Sequence, residues 1–84
     1  DYTCTITKYN GHAANVTIPS TIYGNKVTKI GNSSFRENNN LMSVTIPNSV
    51  KEIDSYAFAN CYSLSTVTFS NSLKSIGYSA FVQA

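Results

Sequence analysis

The chain is expected to fold as a β-rich solenoid of about three turns, each close to 23 residues, under an N-terminal strand acting as a cap. Three observations predict this. The stretch LMSVTIPNSVKEIDSYAFANC, residues 41–61, is nearly rewritten at residues 64–81 as LSTVTFSNSLKSIGYSAF. The pairs Leu41/Leu64, Val44/Val67, Ile46/Phe69, Val50/Leu73, Ile53/Ile76, Ala57/Ala80 and Phe58/Phe81 share one offset of 23 (67 − 44, as 81 − 58). A looser copy precedes them: VTIP begins at Val16 as at Val44, and Val27, Ile30 and Phe35 repeat the spacing of Val50, Ile53 and Phe58. Finally, 84 residues make one small domain whose globular core would be marginal, whereas repeats of fixed period bury apolar surface by stacking on one another.

The elements follow in chain order. Residues 1–12 are read as the cap. In DYTCTITKY, Thr3, Thr5 and Thr7 alternate with Tyr2, Cys4 and Ile6, the period of a strand, and Asn10-Gly11 is a strong turn signal. Residues 13–84 carry the repeats. Each turn opens with a three-residue strand such as Val44-Thr45-Ile46, stopped by Pro47. A second extended piece, Val50 to Ile53 or Leu73 to Ile76, occupies another side of the coil. Gly31 and Gly77 are expected to end it at positive φ, with Asp54 standing in for glycine. SYAFANC is too short for an independent helix and is expected to form one helical turn with Phe58 inward. The first turn is longer by five residues (44 − 16 = 28), around TIYGN, which places a surface loop there.

The pattern resembles the BspA-like leucine-rich repeats of bacterial and protozoan surface proteins, whose motif runs LxxVxIPxxVxxIGxxAFxxC. Leu41, Val44, Ile46, Pro47, Val50, Ile53, Ala57, Phe58 and Cys61 carry the likeness, with Gly31 and Gly77 at the glycine position. Ser70 replaces the proline, Ser34 the alanine, and Asn38 stands where Cys61 stands. The resemblance implies a leucine-rich-repeat solenoid with short helical turns and a secreted or cell-surface location. It also implies a non-enzymatic role in adhesion, to host matrix proteins or to other cells.

Several function classes lack the residues they need. Six basic and four acidic residues are scattered, with no basic run to hold nucleic acid or an anionic membrane. His12 is the only histidine and sits in a predicted loop, so a nucleophile–base arrangement has one candidate base and no catalytic residue is assigned. Two distant cysteines, one histidine and four carboxylates match no metal-ligand spacing, and the four glycines form no phosphate-binding loop, so no cofactor is implied. Asn15-Val16-Thr17 and Asn32-Ser33-Ser34 fit the N-glycosylation triplet by chance in a chain rich in such residues. Cys4 and Cys61 could pair in an oxidising compartment, but Cys61 reads better as a small buried apolar group. The sequence carries no signal peptide, transmembrane run or lipidation motif and is read as a piece of a longer protein.

Binding is the function class that remains, with a protein or glycan as ligand. On the VTIP strands, the residues facing away from the core form two polar columns: Asn15, Ser43, Thr66 and Thr17, Thr45, Thr68. These are the candidate docking face, although stacked threonines also stabilise a sheet by themselves. Tyr23, Tyr56, Tyr62 and Tyr78 lie outside the apolar columns and are candidate exposed aromatics. The alternative from another class is a passive spacer presenting a different domain. After Phe81 nothing is expected to cover Phe69, Leu73 and Ile76, which predicts either further repeats or self-association through the last turn.

Overall fold

The computed structural model describes residues 2–84; Asp1, the first residue of the expected cap, lies outside them. Two parallel sheets form opposite walls of a coil, and the chain passes from one to the other twice per lap. The first wall consists of β2 (Asn15–Thr17), β5 (Ser43–Thr45) and β7 (Thr66–Thr68), in that order. The second contains β1 (Thr3–Ile6), β4 (Asn25–Ile30), β6 (Glu52–Ile53) and β8 (Ser75–Ile76), with β3 (Thr21–Ile22) paired antiparallel to β4.

The repeat offset is the register. Val16 faces Val44 and Val44 faces Val67 across β2, β5 and β7, while Ile30 faces Ile53 and Ile53 faces Ile76 in the second wall. Between the walls the phenylalanines stack in a column, Phe35 on Phe58 at 4.8 Å and Phe58 on Phe81 at 5.1 Å between ring centroids. Val27, Val50, Ile30, Ile53, Leu41, Ala57 and Phe58 are all buried, and each large apolar side chain so placed stabilises the fold by roughly 1.5–3 kcal/mol. The interior is thus one continuous apolar column, as the aligned spacings require.

The N-terminal strand does more than shield the top. β1 pairs parallel with β4, setting Cys4 against Val27 and Ile6 against Ile30. Tyr9 then stacks on Phe35 at 4.9 Å, adding a fourth ring to the aromatic column. It is half a coil of its own, supplying among the described residues no strand to pair with β2. Cys4 and Cys61 are both free thiols, as the apolar reading of Cys61 implies. The Cys61 thiol donates to the Phe35 carbonyl at 3.0 Å, and burial pushes its pKa up.

The structure corrects three local expectations. The stretch 55–61 forms no helical turn, and the described residues contain no helix. Ala57 and Ala59 N–H donate to the carbonyls three residues back, but Tyr56, Phe58 and Asn60 N–H donate to Tyr78, Ala80 and Val82 in the next coil. Tyr56 and Asn60 both take φ near 59°, so the chain runs as a ladder of tight turns cross-linked to its neighbours. Gly31 and Gly77 do not have positive φ; Gly24 is the glycine that does. They are needed for proximity instead. A Cβ on Gly31 would meet the Ile6 carbonyl oxygen at 2.5 Å, and one on Gly77 the Ser55 nitrogen at 2.5 Å. Lastly, Asn10-Gly11 makes no hydrogen-bonded turn. The chain rounds that corner held by Tyr9 N–H on the Ser34 carbonyl and by the Asn38 amide on the Gly11 carbonyl at 3.4 Å.

The longer first turn is a β-hairpin. Tyr23 and Gly24, at φ 51° and 80°, form its two-residue tip, the backbone that primed hairpin turns demand. Lys26 pairs with Thr3 on one side and with Thr21 on the other, so β3 and β6 share one side of β4 and β1 takes the other.

Candidate binding face

The first wall turns one side to the core and the other to solvent because its strands alternate. With Val44 buried, Ser43 and Thr45 must point outward. The same parity holds in β2 and β7, so the six candidate residues fall into two in-register columns, Asn15–Ser43–Thr66 and Thr17–Thr45–Thr68. All are exposed except Ser43, which is half-buried and whose Oγ donates to Asn15 Oδ1 at 2.6 Å. No register shift interrupts the sheet. The face is therefore flat, regular and uncharged, with hydroxyl groups that can both donate and accept. Strand spacing makes these columns about 10 Å across and about 7 Å along the chain.

The four tyrosines are not one patch. Tyr23, at the hairpin tip, is fully exposed, and Tyr62 is exposed after the last turn of its coil. Neither has a ring partner among the described residues. Tyr56 and Tyr78 do meet, edge to face at 5.9 Å, and the Arg36 guanidinium lies 5.2 Å from the Tyr56 ring centroid. Arg36, Tyr56 and Tyr78 thus line the outside of three successive turns. Sequence spacing concealed this ladder, since the two tyrosines are 22 residues apart (78 − 56) rather than one period.

Charge sits on the second wall. Lys29 Nζ lies 3.4 Å from Asp54 Oδ2 and 3.8 Å from Glu52 Oε2. The Asp54 carboxyl is held below its ordinary pKa by the Ser55 N–H on Oδ1 at 2.7 Å and by Lys29, against a partial opposing effect of burial. His12 is exposed, its Nδ1 3.3 Å from the Asn40 amide nitrogen, and among the described residues no carboxylate or thiol is hydrogen-bonded to it. Among the described residues no group of three or more His, Cys, Asp or Glu side chains could hold a metal ion, and no helix is long and apolar enough to cross a membrane.

Comparison with known proteins places this geometry. The family model described as BspA type Leucine rich repeat region (6 copies) matches residues 5–84. The crystal structure of the T. pallidum Leucine Rich Repeat protein (TpLRR) superposes with a TM-score of 0.93 at 32% identity, over 94% of this chain and 37% of that one. A leucine rich cell surface protein from Faecalibacterium prausnitzii A2-165 is 41% identical with a TM-score of 0.86, over 96% of this chain and 24% of its own. A leucine-rich repeat protein from Bacteroides capillosus ATCC 29799 is 38% identical with a TM-score of 0.88, over 94% and 62%. The chain spans less than two thirds of each of these proteins. No curated protein matches it.

Proposed function

Because the chain belongs to the BspA-type leucine-rich repeat family, we propose that it is a repeat segment of a secreted or cell-surface bacterial protein, with a non-enzymatic role in adhesion. Its outer strand face engages a protein or glycan ligand, a host matrix protein among the candidates. The surface location draws support from the F. prausnitzii relative, which is described as a cell surface protein. The observation that carries the binding reading is the pair of in-register polar columns on β2, β5 and β7, displayed without charge or interruption.

Size decides what kind of binding this can be. Columns about 10 Å by 7 Å offer far less than the roughly 800 Å² per partner of a stable protein–protein interface. One segment binds weakly, and firm attachment comes from many coils or many copies acting together. The test is an array of extracellular-matrix proteins and glycans probed with the chain presented monovalently and on beads. Beads are expected to retain a ligand that the monovalent chain holds only weakly. Replacing Thr45 and Thr68 by Gln, which crowds two of the three positions in one column, is expected to abolish that retention.

A passive spacer is the second reading, favoured by the Ser43–Asn15 hydrogen bond, in which the face satisfies itself. Cells displaying the protein separate the two. Attachment that survives the double Gln substitution but changes with the number of repeats supports the spacer and sinks the adhesive face.

A further inference from the structure

We propose that the cleft between the β3–β4 hairpin and the Asn48–Lys51 segment of the next coil binds an acidic saccharide through Lys26 and Lys51. This site goes beyond the reading of the strand face, since it lies on the other wall and depends on different residues. The cleft has a volume of about 470 Å³, within the range of roughly 300–1,000 Å³ usual for small-ligand sites.

Two cationic residues line it, and no described carboxylate is paired with either. Lys26 and Lys51 both line the cleft, and no described residue of its lining is acidic. The carboxylates of this wall, Glu52 and Asp54, are engaged by Lys29. Neither Lys26 nor Lys51 has a carboxylate partner among the described residues. Their backbones are also fixed. Lys26 is paired on both sides, with Thr3 and with Thr21. Lys51 N–H donates to the Thr28 carbonyl at 2.9 Å, and the Lys51 carbonyl accepts from Lys74 N–H at 2.8 Å. Two lysines anchored on hydrogen-bonded backbone beside one cleft thus supply its positive charge.

The rest of the lining selects a sugar over an acidic peptide. Thr3, Thr21 and Thr28 present hydroxyls that donate and accept, with methyl groups beside them. Together with the lysine stems these methyls suit the C–H face of a sugar ring, while no large apolar side chain offers an anchor for a peptide. Asn48 also lines the cleft, its Oδ1 accepting from the Asn71 N–H at 3.0 Å, which leaves its amide N–H groups as its remaining donors. The second cleft, at Lys8 and Arg36, lacks this character because Glu37 lies beside those two cations.

Nitrogen-15-labelled protein titrated with four probes tests the proposal: a heparin hexasaccharide, a hyaluronan hexasaccharide, maltohexaose and hexaglutamate. The expected result is saturable shifts of the Thr21, Lys26, Thr28 and Lys51 amides with an acidic saccharide and none with maltohexaose. Response to heparin alone makes the recognised group a sulfate, and response to hyaluronan makes a carboxylate sufficient. Lys26→Ala with Lys51→Ala should weaken binding at least about tenfold, and added salt should weaken it further. Replacing Thr45 and Thr68 by Gln, which disables the strand face, should leave it unchanged. Shifts centred on Lys8 and Arg36, equal response to hexaglutamate, or no shift with either acidic sugar would overturn the assignment.

Discussion

Ser34 occupies the position that Ala57 and Ala80 take in the following coils, and it is as buried as they are. Its hydroxyl has no hydrogen-bond partner among the described residues. An unpaired hydroxyl in an apolar interior costs about 1–3 kcal/mol by mutational measure, so Ser34→Ala should stabilise the fold by an amount of that order. Urea unfolding would show the midpoint rising; an unchanged or lower midpoint would mean that the hydroxyl finds a partner. Cys61 illustrates the opposite case, a polar atom at home in the same environment. Its thiol is buried, bonded to the Phe35 carbonyl and pushed above its ordinary pKa, whereas Cys4 is only half-buried. A thiol reagent at neutral pH should therefore label Cys4 first and reach Cys61 only on unfolding. The linkage sign follows from the raised pKa. The stabilisation tied to Cys61 is complete below the thiol's unfolded pKa and is lost as pH climbs through the folded one.

At the scale of the element, the hairpin inserted in the first coil carries an avoidable strain. Tyr23 holds φ 51° with a side chain that is fully exposed and has no ring partner. Asparagine adopts the left-handed region more readily than tyrosine and favours this turn position, so Tyr23→Asn should stabilise by up to about 1 kcal/mol. Thermal unfolding measures it, and a loss of stability would show that the ring packs somewhere after all. How these elements were legible differs by cause. The strand walls and apolar columns could be read from residues 41–81 because a 23-residue offset in the chain becomes vertical stacking in space. The candidate face came with them, since Ser43 and Thr45 flank inward Val44. The turn ladder at 55–61 could not be read locally, because alternate amides bond to a coil 22 residues away, such as Phe58 N–H to the Ala80 carbonyl. The roles of Gly31 and Gly77 were hidden likewise. Their requirement comes from a neighbouring backbone rather than from their own dihedrals. Tyr9 was missed as a core residue because its ring joins the phenylalanine column from outside the repeat spacing.

Across the whole molecule, burial is uneven along the coil axis. At the N-terminal end Cys4, Ile6 and Tyr9 pack over Val27, Ile30 and Phe35, which are buried. In the last coil the apolar side chains open out: Phe69 is 46% exposed, Ile76 50% and Val82 40%, while Leu73 and Phe81, the equivalents of Val27 and Phe35, are only half-buried. Beside them run the edges of β7 and β8, each paired on one side alone among the described residues. Apolar side chains flanked by unpaired backbone are what a further coil covers in a stacked-repeat protein. For the 84-residue chain in solution, a second copy offers the same chemistry, with strand edges to pair and apolar surface to bury. The chain is therefore expected to associate through this end, with an average mass that rises with concentration in light scattering. Ile76→Lys should return it to a monomer, because a charge placed at that interface would be desolvated without a partner. The equivalent exposed change at the other wall, Thr17→Lys, should not. A chain that stays monomeric at high concentration would show that the open coil is tolerated by water, and that the apolar column needs no lower lid.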